Sequence, residues 1–177
     1  MSNEAVKGNT QINSKVVELA ITALFIALTY VATAFINIRL PIAANGGLVH
    51  LGNVPVFIAA AFFTKRTAAL AGGIGMGLFD LLSGWTAWAP FTLVIVAAIG
   101  FVFAFIINQK PTFLKLVLAV VAACVIKVAG YYLAEVVLYG NWAAPVTSIP
   151  GNIVQITVAG IISIPLILGG RQLVEHH

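Results

Sequence analysis

Lys127, Tyr131 and Glu135 stand at i, i+4 and i+8 of one long apolar run, a spacing that lines a cation, a phenol and a carboxylate along a single helical face. In a bilayer each buried ionisable group costs roughly 2.5 to 3.5 kcal/mol at a helix centre, so such groups need a partner or a purpose. The other polar residues of apolar runs sit at run ends. Asp80 lies near the end of one run, His50 and Asn53 stand three apart at the start of another, and Asn152 and Gln155 stand three apart at the start of the last. Trp85 and Trp88 lie in the connection that follows the Asp80 run. A carboxylate, an ammonium, amides, an imidazole and indoles together can hold a small polar ligand with a flat ring, the indoles stacking and the polar groups fixing its orientation. The structural alternatives are an internal ion pair of Lys127 with Asp80 or Glu135, and a helix-capping role for Asn152 after Pro150-Gly151.

Catalysis has little to work with. No GxxxxGK[ST] phosphate loop occurs, and the glycines at 72, 73, 75 and 77 do not form GxGxxG. Ser83 lacks the preceding glycine of an intramembrane serine protease, and His50 is the one histidine outside the terminal pair. No HExxH or paired-carboxylate metal site is present, and Cys124 is the single cysteine, so neither a zinc cluster nor an internal disulfide is expected. We expect no catalytic residues, no metal and no cofactor. The function classes that remain beside ligand capture are a small intramembrane enzyme and a stand-alone carrier or channel.

The elements that must position these residues are membrane helices. Of 177 residues, 61% are hydrophobic and 8% charged, with a mean hydropathy of +1.07, whereas soluble domains carry about 25% charged residues. Six runs approach the roughly 17 to 25 residues of a spanning helix: Val16–Ile36, Val49–Phe63, Ala68–Leu82, Phe91–Ile107, Phe113–Leu138 and Ile153–Leu168, the second and third being short. No linker or composition break divides them. We expect an all-α integral membrane protein, a bundle of six transmembrane helices over 15–170, with a polar tail at 1–14 and a second tail at 171–177 whose Glu175-His176-His177 is native or the remnant of a purification tag.

Charge sets the orientation. Lys7, Lys15, Lys65, Arg66, Lys110, Lys115 and Arg171 flank alternate connections, which the positive-inside rule assigns to the cytoplasm together with both termini. The remaining basic residues are Arg39 on the other face and Lys127 within the fifth run. A net charge of +4 scattered in this way forms no basic stripe, and no nucleic-acid partner is expected. The outer connections 37–48, 83–90 and 139–150 carry Pro41, Asn45-Gly46-Gly47 and all three tryptophans, Trp85, Trp88 and Trp142. Lys127 lies about 21 Å along its helix from Phe113, so its stripe falls in the outer half. The expected ligand pocket therefore opens outward. Small-residue spacings, Ala23-xxx-Ala27 and Gly73-xxx-Gly77, mark faces for close helix approach.

Gly47-Leu-Val-His-Leu-Gly-Asn-Val-Pro-Val-Phe57, Gly73-Ile-Gly-Met-Gly-Leu-Phe-Asp-Leu-Leu-Ser-Gly84 with Trp88-Ala-Pro-Phe-Thr92, and Pro150-Gly-Asn-Ile-Val-Gln155 resemble the substrate-binding S components of energy-coupling factor (ECF) vitamin transporters. The resemblance extends over all six runs and is nearest the hydroxymethylpyrimidine and pyridoxine branch. It implies a multi-pass protein of the bacterial cytoplasmic membrane that takes its vitamin or precursor from outside and joins a transmembrane T component and two ATPases, which accounts for the missing phosphate loop. It also implies that Ala23 and Ala27 contact the T component, the family using an AxxxA motif there. Riboflavin and pantothenate are further substrates within the family.

Overall fold

The computed structural model describes the backbone of residues 3–39 and 48–175 and the side chains of 14–38 and 48–173, so the Arg39 side chain is outside it. Pro41, Asn45, Gly46 and Gly47, the Lys7 side chain and the terminal histidines lie outside the described residues. The described residues form six α-helices: α1 Asn3–Phe35, α2 Asn53–Phe62, α3 Lys65–Leu82, α4 Ala89–Ile107, α5 Phe113–Tyr139 and α6 Ile149–Glu175. A 3₁₀ turn at Ala144–Ser148 precedes α6. The chain is not purely helical: β1 Asn37–Arg39 pairs antiparallel with β2 Leu48–His50, Asn37 opposite His50.

Among the described residues four segments are long and apolar enough to cross a membrane, in α1, α4, α5 and α6. The second expected run divides, because Val49 and His50 join the hairpin and α2 keeps 10 residues, about 15 Å of rise. It survives at that length because it is packed on nearly every side, with Val56, Phe57, Ala59 and Ala60 at most 1% exposed. Phe57 stacks on Phe103 of α4 at 4.2 Å between ring centres. The third run lengthens to 18 residues by beginning at Lys65. Its start is fixed by Thr64, whose hydroxyl accepts the Thr67 N–H at 3.1 Å. α1 begins at Asn3 and not at Val16, so the polar segment ahead of the apolar run is itself helical.

Glycines set the tightest spacing in the bundle. A Cβ on Gly73 would lie 2.6 Å from the Leu93 carbonyl oxygen, and one on Gly77 3.6 Å from Leu93 Cβ, so the Gly73-xxx-Gly77 edge of α3 rests on α4. Gly100 returns the contact, its position for Cβ being 2.5 Å from the Ala68 carbonyl oxygen. Gly75 turns the opposite side of α3 to α1 at Thr29. Turn chemistry ends the helices: Asn108 (φ 45°) closes α4 and Gly140 (φ 62°) closes α5, both left-handed.

Candidate functional site

The antiparallel connections bring the C-terminal ends of α1, α3 and α5 to one end of the bundle with the N-terminal ends of α2, α4 and α6. Lys65, Arg66, Lys110, Lys115 and Arg171 belong to the other end, where the Lys65 ammonium lies 4.7 Å over the Phe105 ring. At the first end is a cavity of about 110 Å³. It is lined by His50, Asp80, Trp85, Trp88, Lys127, Tyr131, Glu135, Asn152 and Gln155, and by Leu48, Phe79, Thr92, Ser148 and Gly151.

Nine of the ten residues singled out in the sequence thus meet on one cavity, although they come from β2, α3, the 83–88 turn, α5 and α6. Asn53 does not. It is the first residue of α2, fully buried away from the cavity lining, and neither its Oδ1 nor its Nδ2 has a hydrogen-bond partner among the described residues. Pairing it with His50 assumed one continuous helix, and the strand ending at His50 removes that register. Trp142 is also elsewhere: it is 67% exposed, and its carbonyl accepts the Tyr132 hydroxyl at 2.8 Å. Only two of the three tryptophans wall the cavity, Trp85 and Trp88, edge to face at 5.4 Å. Trp88 packs in turn on Tyr139 at 6.1 Å.

Polar groups around the cavity are held in two sets. Thr92 is hydrogen-bonded to Tyr131 Oη at 2.9 Å and to the Asp80 carboxylate. An ionised carboxylate only accepts, so the threonine hydroxyl donates to Asp80 and receives the tyrosine proton. This chain ties α3, α4 and α5 together beside the site. In the second set, His50 Nδ1 accepts the Gly52 N–H at 3.3 Å, which leaves Nε2 as the protonated nitrogen of a neutral ring, and the His50 carbonyl accepts Gln155 Nε2 at 3.4 Å. Lys127 is 1% exposed and stands 4.9 Å from the Tyr131 ring centre. Glu135 is also buried. Sequence reasoning passed over Thr92, Phe79 and Ser148. Thr92 was accessible to it, lying one helical turn after Trp88 on α4.

Ala23 and Ala27 face away from the bundle on α1, exposed beside Leu24 and Leu28, while Thr22, Phe25 and Thr29 of the same helix point inward. Among the described residues no group of three metal-ligating side chains converges. The arrangement can set a ring against an indole wall and present a carboxylate, an ammonium and an imidazole N–H to its edge.

The model of the family of ECF-type riboflavin transporter S components matches residues 13–172. The chain is 33% identical over 125 residues to an uncharacterized protein of the gap 3′ region of Pyrococcus woesei, covering 71% of this chain and 82% of that protein. It is 28% identical over 151 residues to the thiamine precursor transporter HmpT of Lactococcus lactis subsp. cremoris (strain MG1363), covering 85% and 86%. A solved structure of the S component of a bacterial ECF transporter superposes with a TM-score of 0.70 over 92% of this chain and 98% of that one, at 19% identity, and so shares its fold.

Proposed function

The chain belongs to the family of ECF-type riboflavin transporter S components, and from that premise we propose that its cavity captures a hydroxymethylpyrimidine or a pyridoxine-like vitamin for import. Membership makes it a transporter component and not an enzyme. The observation that carries the substrate reading is the cavity itself, about 110 Å³ with two indoles, a carboxylate and an ammonium on its walls. An apolar cavity of about 150 Å³ accommodates benzene, so at about 110 Å³ this cavity is far nearer the scale of a single ring than of a three-ring flavin, and it must open somewhat even for a substituted pyrimidine. The likeness to a relative named as a thiamine precursor transporter supports the same choice. Riboflavin is the second reading, favoured by the description of the matching family, and it would require the site to widen around a three-ring flavin.

In this reading all six helices cross the cytoplasmic membrane, α2 completing its crossing with the hairpin, and both the 1–14 and 171–177 tails are cytoplasmic. The separation of the cavity from the basic end supports an outward-facing site. Energy comes from two ATPases acting through a T component that docks on Ala23 and Ala27, whose small exposed side chains suit close helix approach. Calorimetric titration of the purified chain with hydroxymethylpyrimidine, pyridoxine, thiamine, riboflavin and pantothenate tests the substrate. Submicromolar binding of one of the first two is expected, binding of riboflavin alone establishes the second reading, and binding of none refutes both.

A further inference from the structure

Among the polar side chains of the cavity, Lys127 is in a distinct position. Asp80, Thr92 and Tyr131 hold one another, and His50 is tied to Gly52 and Gln155. Lys127, 1% exposed, lines the same cavity and holds its ammonium 4.9 Å over the Tyr131 ring, with no hydrogen bond to the described residues. A ring face attracts the charge without accepting a directed proton in the manner of an oxygen, and an ammonium carries three donors. Asp80 attracts it electrostatically, and that carboxylate is also engaged by Thr92. Once a ring fills the cavity and displaces its water, an ammonium donor there is costly to leave unpaired unless that molecule brings the acceptor.

Resting on the substrate reading above, we infer that Lys127 donates a hydrogen bond to an oxygen substituent of the ligand ring while Asp80 accepts from the ring's amino or N–H edge. The cavity then selects a heterocycle bearing a donor edge and an oxygen acceptor at separate positions, and Lys127 is the residue that reads the oxygen. Trp85 and Trp88, in edge-to-face contact on one wall of the cavity, offer an indole face to any flat ring, so discrimination falls to the polar pair. A site built to hydrogen-bond a ligand oxygen rejects the analogue lacking it because the buried group goes unpaired.

The test compares 4-amino-5-hydroxymethyl-2-methylpyrimidine with 4-amino-2,5-dimethylpyrimidine, and pyridoxine with its 3-deoxy analogue, by calorimetric titration of the full chain and of Lys127→Met. In the wild-type chain at least one oxygen-deleted analogue is expected to bind about tenfold to a hundredfold more weakly than its parent, the range for a hydrogen bond to a charged group. In Lys127→Met that gap should close to within about twofold. Equal binding of both members of each pair by the wild-type chain overturns the role of Lys127 and leaves the proposed function standing. A gap that persists in Lys127→Met overturns it as well, the lysine then serving as the counter-ion of Asp80. Lys127→Ala replaces Lys127→Met for the same comparison should the latter not fold. Failure of every parent compound to bind the wild-type chain refutes the substrate reading itself, and this inference with it.

Discussion

Replacing Thr92 by Val deletes one oxygen from the site and nearly preserves the side chain's shape. That oxygen is 2% exposed as part of its residue, receives the Tyr131 hydroxyl at 2.9 Å and donates to Asp80. The substitution removes a hydrogen bond to a charged group, about 1.5 to 3 kcal/mol, and orphans the tyrosine hydroxyl, which costs about 1 to 3 kcal/mol where no water replaces the partner. Water can enter the open cavity of the ligand-free chain, so the loss of stability should stay near 1 kcal/mol. A bound ring excludes that water and also needs Asp80 in place, so affinity should fall about tenfold to a hundredfold. Thr92→Ser keeps the hydroxyl and should retain affinity within about threefold of wild type. Titration calorimetry, paired with thermal unfolding in detergent, measures both effects. Wild-type affinity in Thr92→Val refutes the reasoning, and so does an equal loss in Thr92→Ser, which would assign the effect to packing of the methyl group.

Two further expectations concern parts of the bundle remote from the cavity. Ala23→Trp or Ala27→Trp should leave ligand affinity of the isolated chain nearly unchanged, because both side chains are exposed, and should abolish co-purification with a T component; loss of folding in these and in the milder Ala→Leu variants would make the face an internal packing surface. Gly100→Ala places a methyl group 2.5 Å from the Ala68 carbonyl oxygen, so α3 and α4 must move apart. Overpacking of this kind costs about 1 to 3 kcal/mol, to be seen as a lowered unfolding temperature with ligand affinity of the folded fraction retained, and an unchanged unfolding temperature would contradict the close helix approach.

Hydropathy and charge alone determined that this is a membrane protein, how its apolar runs are spaced, and at which end its polar side chains gather. Those properties depend on solvent transfer and on positions counted along a helix, and both are local. The i, i+4, i+8 stripe of Lys127, Tyr131 and Glu135 was legible for the same reason, one helix fixing all three directions. Only the tertiary structure decided which of the candidates share a cavity. Asn53 and Trp142 had the right chemistry at the right depth and still fall outside it, because a side chain's direction relative to other elements depends on where each helix begins. The three-residue strand ending at His50 shows this most directly: it is too short for a periodic signal, yet its pairing with Asn37–Arg39 shortens α2, turns His50 into the cavity and leaves Asn53 behind. Thr92 became visible through Tyr131, a partner 39 residues away on another helix. Such a bond depends on the approach of α4 to α5 across the bundle, and packing of whole helices sets that distance.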